Sequence, residues 1–341
     1  MKCTSPRTVG FYPDGKTLCW SPLKASKEYA SFQLPCGKCL SCRLEKARQT
    51  ALRCVHEAQM YEKNSFITLT YSDEHLKSPK LQYNDFQLFV KRLREKINRD
   101  YIKQYGKHNW NLLTKEERKV HYESIKISIL GTGEYGDTTK RPHFHALIFN
   151  WTPSDRQHYR TSDNGDKIYT SATLDSLWGL NDPTQRPSEI GEITFQSAGY
   201  VARYATKKLR HGKDGQHDYE PISKRSCKNA IGKKWLEKYY KSVFNHGFII
   251  LPDGSKSGIP RYYENWLKKH HPEFYKHYVT ETKSRITLEA SAKEEKTSLQ
   301  TKLANLKKSS RGSFKRLIDK HKVRDTILKR KTEVLQKNIK L

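Results

Sequence analysis

The chain has 341 residues, enough for one large domain or two modest ones, and carries 65 Lys and Arg against 36 Asp and Glu, a formal net charge of +29. That excess implies a polyanionic partner (DNA, RNA or an anionic membrane surface), because each phosphate neutralised releases counterions. No apolar run is long enough to span a bilayer, and the Met1-Lys2-Cys3-Thr4 start lacks a signal-peptide core, which excludes a transmembrane helix and predicts a cytosolic protein.

Residues 1–35 read as loops with a small hairpin around Pro13-Asp14-Gly15. Then comes Pro35-Cys36-Gly37-Lys38-Cys39-Leu40-Ser41-Cys42-Arg43. In a reducing compartment, seven cysteines are metal ligands or free thiols rather than a disulfide framework. Cys36, Cys39 and Cys42 stand at two-residue gaps and suit one tetrahedral Zn2+, with Cys3 or Cys19 as the fourth ligand. Free thiols and an iron–sulfur cluster are the alternatives. Residues 42–62 predict a helix with an apolar stripe of Leu44, Ala47, Ala51, Val55 and Ala58, and with Cys54 as a buried small side chain. Residues 66–71 predict a strand. Asn84-Asp85 cap an amphipathic helix carrying Phe86, Phe89, Leu93 and Ile97, and a short helix is expected from Thr114.

Residues 125–130 predict a strand leading to Glu134, a glycine-containing turn, and a second strand at 143–149. Strand side chains alternate faces, so His143 and His145 share one face while Phe144, Ala146 and Ile148 take the other. Strands joined by a short loop are normally antiparallel neighbours, which would bring Glu134 to the two histidines. Glu134 is preferred to Asp137 as the third member. Two imidazoles and a carboxylate suit a divalent cation with an open coordination position. Ordinary hydrogen-bonded sheet histidines are the alternative.

Residues 150–190 read as a polar insertion with a turn at 163–166 and a short helix containing Leu174, Leu177 and Trp178, followed by a strand at 190–195. Residues 197–209 predict a helix. Residues four apart lie one above the other, so Tyr200, Tyr204 and Lys208 form one line, beside an apolar line of Val201, Ala205 and Leu209. Tyrosines so placed in a basic protein suit nucleophilic attack on a metal-polarised phosphate. Lys208, with Lys207 behind it, is the candidate to assist a phenol whose ordinary pKa is near 10. Residues 210–232 read as a mobile basic segment in which Cys227 is a free thiol. Residues 231–244 predict a packing helix, 248–251 a strand, and 259–263 an extended stretch. Beyond about 281, one or two basic helices or a poorly ordered tail are expected. No Gly-x-x-x-x-Gly-Lys-Ser/Thr loop occurs, which argues against an ATP-driven helicase.

His143-Phe144-His145 resembles the histidine-hydrophobe-histidine motif of the HUH endonucleases, and Tyr200-x-x-x-Tyr204 resembles the paired tyrosines of their two-tyrosine, rolling-circle branch. Together with the cysteine stretch, residues 1–275 are similar to the replication initiators of the microviruses, the gokushovirus group in particular. The resemblance implies an α+β fold, a ferredoxin-like (RRM-like) antiparallel sheet with helices packed on one face, plus a small Cys-rich N-terminal element. The expected division is 1–60 Cys-rich segment and helix, 61–210 nickase core, 211–280 basic extension and 281–341 basic tail. Implied too are Mg2+ or Mn2+ at Glu134, His143 and His145, catalytic Tyr200 and Tyr204, and nicking of the phage origin through a 5′-phosphotyrosine. The implied substrate is single-stranded or supercoiled circular phage DNA, the implied partners are host helicase and DNA polymerase, and the location is the host cytoplasm. No membrane or small-molecule substrate is implied. A relaxase or transposase of the same superfamily, or a non-catalytic zinc-containing nucleic-acid-binding protein, are the rival readings.

Overall fold

The computed structural model describes residues 3–21, 23–72, 76, 78–136, 140–163, 165–179, 187–207, 222–226, 229–293 and 320–338. The chain falls into two units, residues 46–235 and residues 1–45 together with 236–340.

At the N-terminus β1 (Arg7–Phe11) pairs antiparallel with β2 (Leu18–Cys19) on one side and β3 (Phe32–Leu34) on the other. The expected turn closes the first hairpin. Asp14 accepts from the backbone amides of Lys16 and Thr17, and Gly15 takes φ +62°, a conformation that glycine adopts without steric cost. The predicted helix follows as α1 (Leu40–Ala58), and its stripe of Leu44, Ala47, Ala51 and Val55 is buried.

The strands of residues 46–235 are β4 (Asn64–Thr70), β5 (Ser128–Tyr135), β6 (Pro142–Phe149), β7 (Gln157–Thr161), β8 (Lys167–Thr170), β9 (Glu189–Gly191) and β10 (Ile222–Arg225). They form one seven-stranded sheet in the order β10-β5-β6-β4-β9-β8-β7, antiparallel at every described pair. Its helices are α2 (Tyr83–Tyr105), α3 (Lys107–Leu112), α4 (Lys115–Ser124), α5 (Ala172–Trp178), α6 (Phe195–Lys207) and the start of α7 (Lys233–His246). The helix expected from Thr114 is α4, fixed by a capping box between Thr114 and Glu117.

The expectation of helices on one face is corrected, because both faces are covered. On one face Ile67, Leu69, Phe144, Ala146 and Ile148 pack with Phe86, Phe89 and Leu93 of α2 and Leu174, Leu177 and Trp178 of α5. On the other, Phe66, Leu130, Leu147 and Phe149 pack with Ala51 and Cys54 of α1 and Ala198 and Val201 of α6. The reason is in the strands, which are apolar on both sides over much of their length, so each side needs a cover. Glycine lets α2 come close. A Cβ at Gly131 would stand 2.6 Å from the Phe86 ring.

Further differences have local causes. The strand expected at 190–195 ends at Gly191, because the Thr194 hydroxyl accepts from the Ser197 amide and starts α6. The insertion at 150–190 is structured, since β7 and β8 form a hairpin that extends the sheet beside β9. Part of the segment expected to be mobile, Ile222–Arg225, is β10, which satisfies the outer backbone groups of β5. Cys227 lies outside the described residues.

In the remaining unit β11 (Ile249–Ile250) pairs with β12 (Lys256–Ser257). The stretch expected to be extended at 259–263 instead opens α8 (Arg261–His270), whose Tyr263, Trp266 and Leu267 recur at helical spacing and are buried. α9 (Pro272–His277) leads into a π-helical turn (Tyr278–Lys283), and residues 284–293 remain helical. A final basic helix spans Lys320–Asn338. Among the described residues no helix is long and apolar enough to cross a membrane.

Candidate active site

Strand register builds the site. β5 and β6 pair so that Glu134 lies opposite His143 and Thr132 opposite His145, while β4 places Thr68 opposite His145 from the other side. Directly opposed residues of an antiparallel pair project from the same face, so all five belong to one surface. Glu134 Oε1 stands 3.0 Å from His143 Nε2 and 3.1 Å from His145 Nε2. Potential ligand atoms of the three residues lie within 4.8 Å of one another. Glu134 and His145 are buried and His143 is half-buried at the rim, so the group is reached from one side.

Tautomer chemistry tests whether a cation fits. His143 Nδ1 lies 3.1 Å from the Arg141 carbonyl, which only accepts, so Nδ1 carries the hydrogen. In the neutral ring Nε2 then presents a lone pair to a carboxylate oxygen at 3.0 Å. Two acceptors facing each other in a buried site require a positive charge between or beside them, either a proton on the ring or a metal ion. His145 Nδ1 lies 3.0 Å from Thr68 Oγ1, which orients the ring and directs Nε2 to the same point. A backbone carbonyl or hydroxyl behind a histidine is the usual arrangement behind metal-bound imidazole. The residues present therefore fit a divalent cation.

α6 brings a phenol to this group. The Tyr200 hydroxyl donates to Glu134 Oε1 at 3.4 Å, and its ring packs edge-on to His145 (centroids 5.4 Å apart) and to Phe66. Ala198 and Val201 hold the helix by their burial against Leu147 and Phe149. Tyr204 is carried by the same helix one turn on, but its side chain and that of Lys207 lie outside the described residues, as do Lys208 and Asp137 altogether.

Two residues of the site escape sequence reasoning. Thr68 backs His145, and Thr132 has a buried hydroxyl without a partner among the described residues. The available signal was parity: within residues 66–71, Thr68 alternates with the apolar Ile67 and Leu69 and so had to share the face opposite theirs.

The cysteines assemble separately. Cys3, Cys36, Cys39 and Cys42 converge, whereas Cys19 is buried with its thiol directed to the Ser21 carbonyl, and Cys54 lies in the core beside Ala51. Burial raises the Cys54 thiol to about 12, as expected of an inert structural thiol.

A family model for the replication-associated protein ORF2 and its counterparts matches residues 64–209, from the start of β4 to just past the end of α6. The chain is 44% identical to the replication-associated protein VP4 of Bdellovibrio phage phiMH2K, over 100% of both proteins. It is 31% identical to the replication-associated protein ORF4 of Chlamydia phage 1, over 70% of this chain and 54% of that protein. To the replication-associated protein ORF2 of Spiroplasma virus 4 it is 29% identical, over 89% of this chain and 86% of the other. No solved structure matches it.

Proposed function

The chain belongs to the replication-associated proteins of the microvirus-type phages, and from that premise we propose that it is the endonuclease and strand-transferase that starts and ends rolling-circle replication. The observation that carries this reading is the meeting of Glu134, His143, His145 and the Tyr200 hydroxyl on one face of the sheet. Residues 61–210 are the catalytic core in this reading, and the basic segments around them hold DNA by its phosphates.

Mg2+ or Mn2+ bound by Glu134, His143 and His145 would polarise the scissile phosphate and stabilise the charge that develops on it. The chain's own residues do the rest. Thr68 and the Arg141 carbonyl hold the imidazoles in register, and the buried Glu134 carboxylate accepts from the nucleophile. In each cut a tyrosine oxygen attacks phosphorus. Its bond to phosphorus forms as the bond to the 3′ oxygen breaks, the phenolic proton is lost, and the 3′ oxygen gains one. Lys208 assists by favouring the phenolate. The product is a 5′-phosphotyrosine and a free 3′-OH from which a host polymerase extends, with strand separation left to a host helicase. Tyr200 and Tyr204 share the work because one stays esterified while the other makes the terminating cut. The newly released 3′-OH then attacks the first phosphotyrosine, closes the circle and frees that tyrosine. Bonds made equal bonds broken, so no nucleotide cofactor is needed. The reaction runs on circular phage DNA in the host cytoplasm.

The test is a denaturing gel of the full chain with a single-stranded oligonucleotide spanning the origin of the encoding genome and Mn2+. The expected result is a covalent protein–DNA adduct that is absent in Tyr200→Phe/Tyr204→Phe and in His145→Ala. Binding to a verified origin without any metal-dependent adduct would overturn the enzyme in favour of a DNA-binding protein.

A further inference from the structure

We propose that the thiolates of Cys3, Cys36, Cys39 and Cys42 hold one Zn2+ as a closed tetrahedral site that ties the loop before β1 to the first turn of α1. This site has no part in the nicking chemistry, and neither proposal rests on the other.

Distance carries the inference. Cys3 Sγ lies 3.6 Å from Cys36 Sγ and 3.7 Å from Cys39 Sγ, and all four sulfurs fall within 4.8 Å of one another. Sulfurs placed ~2.3 Å from a central zinc at tetrahedral angles stand ~3.8 Å apart, so these edges are those of a zinc tetrathiolate. They are too long for disulfides, whose sulfurs bond at about 2.0 Å. They are also too short for a polynuclear iron–sulfur cluster, whose several metal atoms push the cysteines further apart.

Backbone geometry is the second, independent observation. The Cys36 amide donates to Cys3 Sγ and the Cys39 amide to Cys36 Sγ, each at 3.3 Å. Amides aimed at sulfur stabilise the thiolate form, the form that ligates. Between those cysteines Gly37 takes φ +73° with open space where a Cβ would be, so glycine is needed for its conformation and not for room. Arg43 Nε then donates to the Lys38 carbonyl at 2.9 Å and braces the turn from the helix. Four sulfurs so close would repel one another as anions, and a soft divalent cation is the group that relieves this. The same geometry resolves the choice of fourth ligand. Cys19 is buried with its thiol 3.2 Å from the Ser21 carbonyl, and Cys3 completes the set. With four protein ligands no position stays open, which makes the site structural.

The full chain, purified under reducing conditions without a metal-binding tag, is assayed for zinc by elemental analysis together with the Cys3→Ser, Cys39→Ser, Cys19→Ser and His145→Ala variants. About one zinc per chain is expected in the wild type, Cys19→Ser and His145→Ala. Cys39→Ser should lose it, and Cys3→Ser should yield it to a chromophoric chelator at least roughly tenfold more readily. Should either ligand variant fail to fold, the wild type alone decides. Titration with an organomercurial should release the zinc in step with four thiols, and Co2+ in its place should give sulfur-to-metal charge-transfer absorption with the visible bands of a tetrahedral ion. A zinc-free wild type with all four thiols immediately reactive would overturn the proposal. So would zinc that departs with His145→Ala, or iron at the cysteines.

Discussion

In the seven-stranded sheet, the metal-capable group is three side chains hung from two paired strands. Near the N-terminus it is four sulfurs drawn from a loop, a turn and the start of a helix. The strand group is placed by backbone hydrogen bonds that exist whatever occupies it, and its donors leave coordination positions for a substrate. The four cysteines are only half-buried, and their donors leave no position open. One is built to be emptied and filled, the other to be filled once. This difference teaches where each ion matters: chemistry should depend on the first, folding on the second.

The largest effect expected is on catalysis. Tyr200→Phe/Tyr204→Phe should lower covalent adduct formation by roughly 10³-fold or more, and His145→Ala should do the same, read on the denaturing gel. Both variants should retain the wild-type thermal midpoint within a few degrees; a collapse of the fold would break the contrast between the two sites. The next largest is on stability. Cys39→Ser should lower the thermal midpoint of residues 1–45 with 236–340 by on the order of 10 °C, by calorimetry. Brief dialysis against a chelator too weak to extract thiolate-bound zinc should abolish nicking and leave that midpoint in place.

A smaller effect sharpens the comparison within the sheet. Thr68→Val removes the hydroxyl behind His145, and half-maximal nicking should then need roughly tenfold to hundredfold more Mn2+, with the rate at saturating Mn2+ less affected. An equal fall at all Mn2+ concentrations would mean that Thr68 does not act through the metal ligand. The smallest concerns acid. His56 is stacked on Trp235 at 3.5 Å, and burial lowers its pKa from 6.5 to about 3. Between those values the unfolded chain binds a proton that the folded chain refuses, so stability falls as pH drops below about 6.5. The loss by about pH 5 is about 2 kcal/mol. Urea midpoints at about pH 7 and about pH 5 should differ less in His56→Gln than in the wild type.

Much of the candidate site was legible because its signals are local. Parity put His143 and His145 on one face, a four-residue interval aligned Tyr200 with Tyr204, and short loop length made β5 and β6 antiparallel neighbours. What local signals misjudged were boundaries and company. The strand expected to end at 130 runs on through Gly131 and Gly133 to Tyr135, because those glycines leave room for Phe86, Phe144 and Leu81 rather than breaking the strand. Arg261 and Tyr262 open a helix, since Tyr263, Trp266 and Leu267 find a core to bury in.

The sequence by itself determined the chemistry carried by the chain: the histidine strand, the tyrosine helix, the cysteine triplet and the charge of +29 that suits a polyanion. Only the tertiary structure decided which distant residues complete each group. Thr68 reaches His145 across 77 positions, Tyr200 reaches Glu134 across 66, and Cys3 rather than Cys19 joins a turn 33 residues away. It also decided that α1 and α6 cover the metal-bearing face while α2 and α5 cover the other. The physical reason is that side-chain periodicity is fixed by backbone geometry over a few residues. Pairing between distant segments is chosen by packing and hydrogen-bond satisfaction summed over the whole fold.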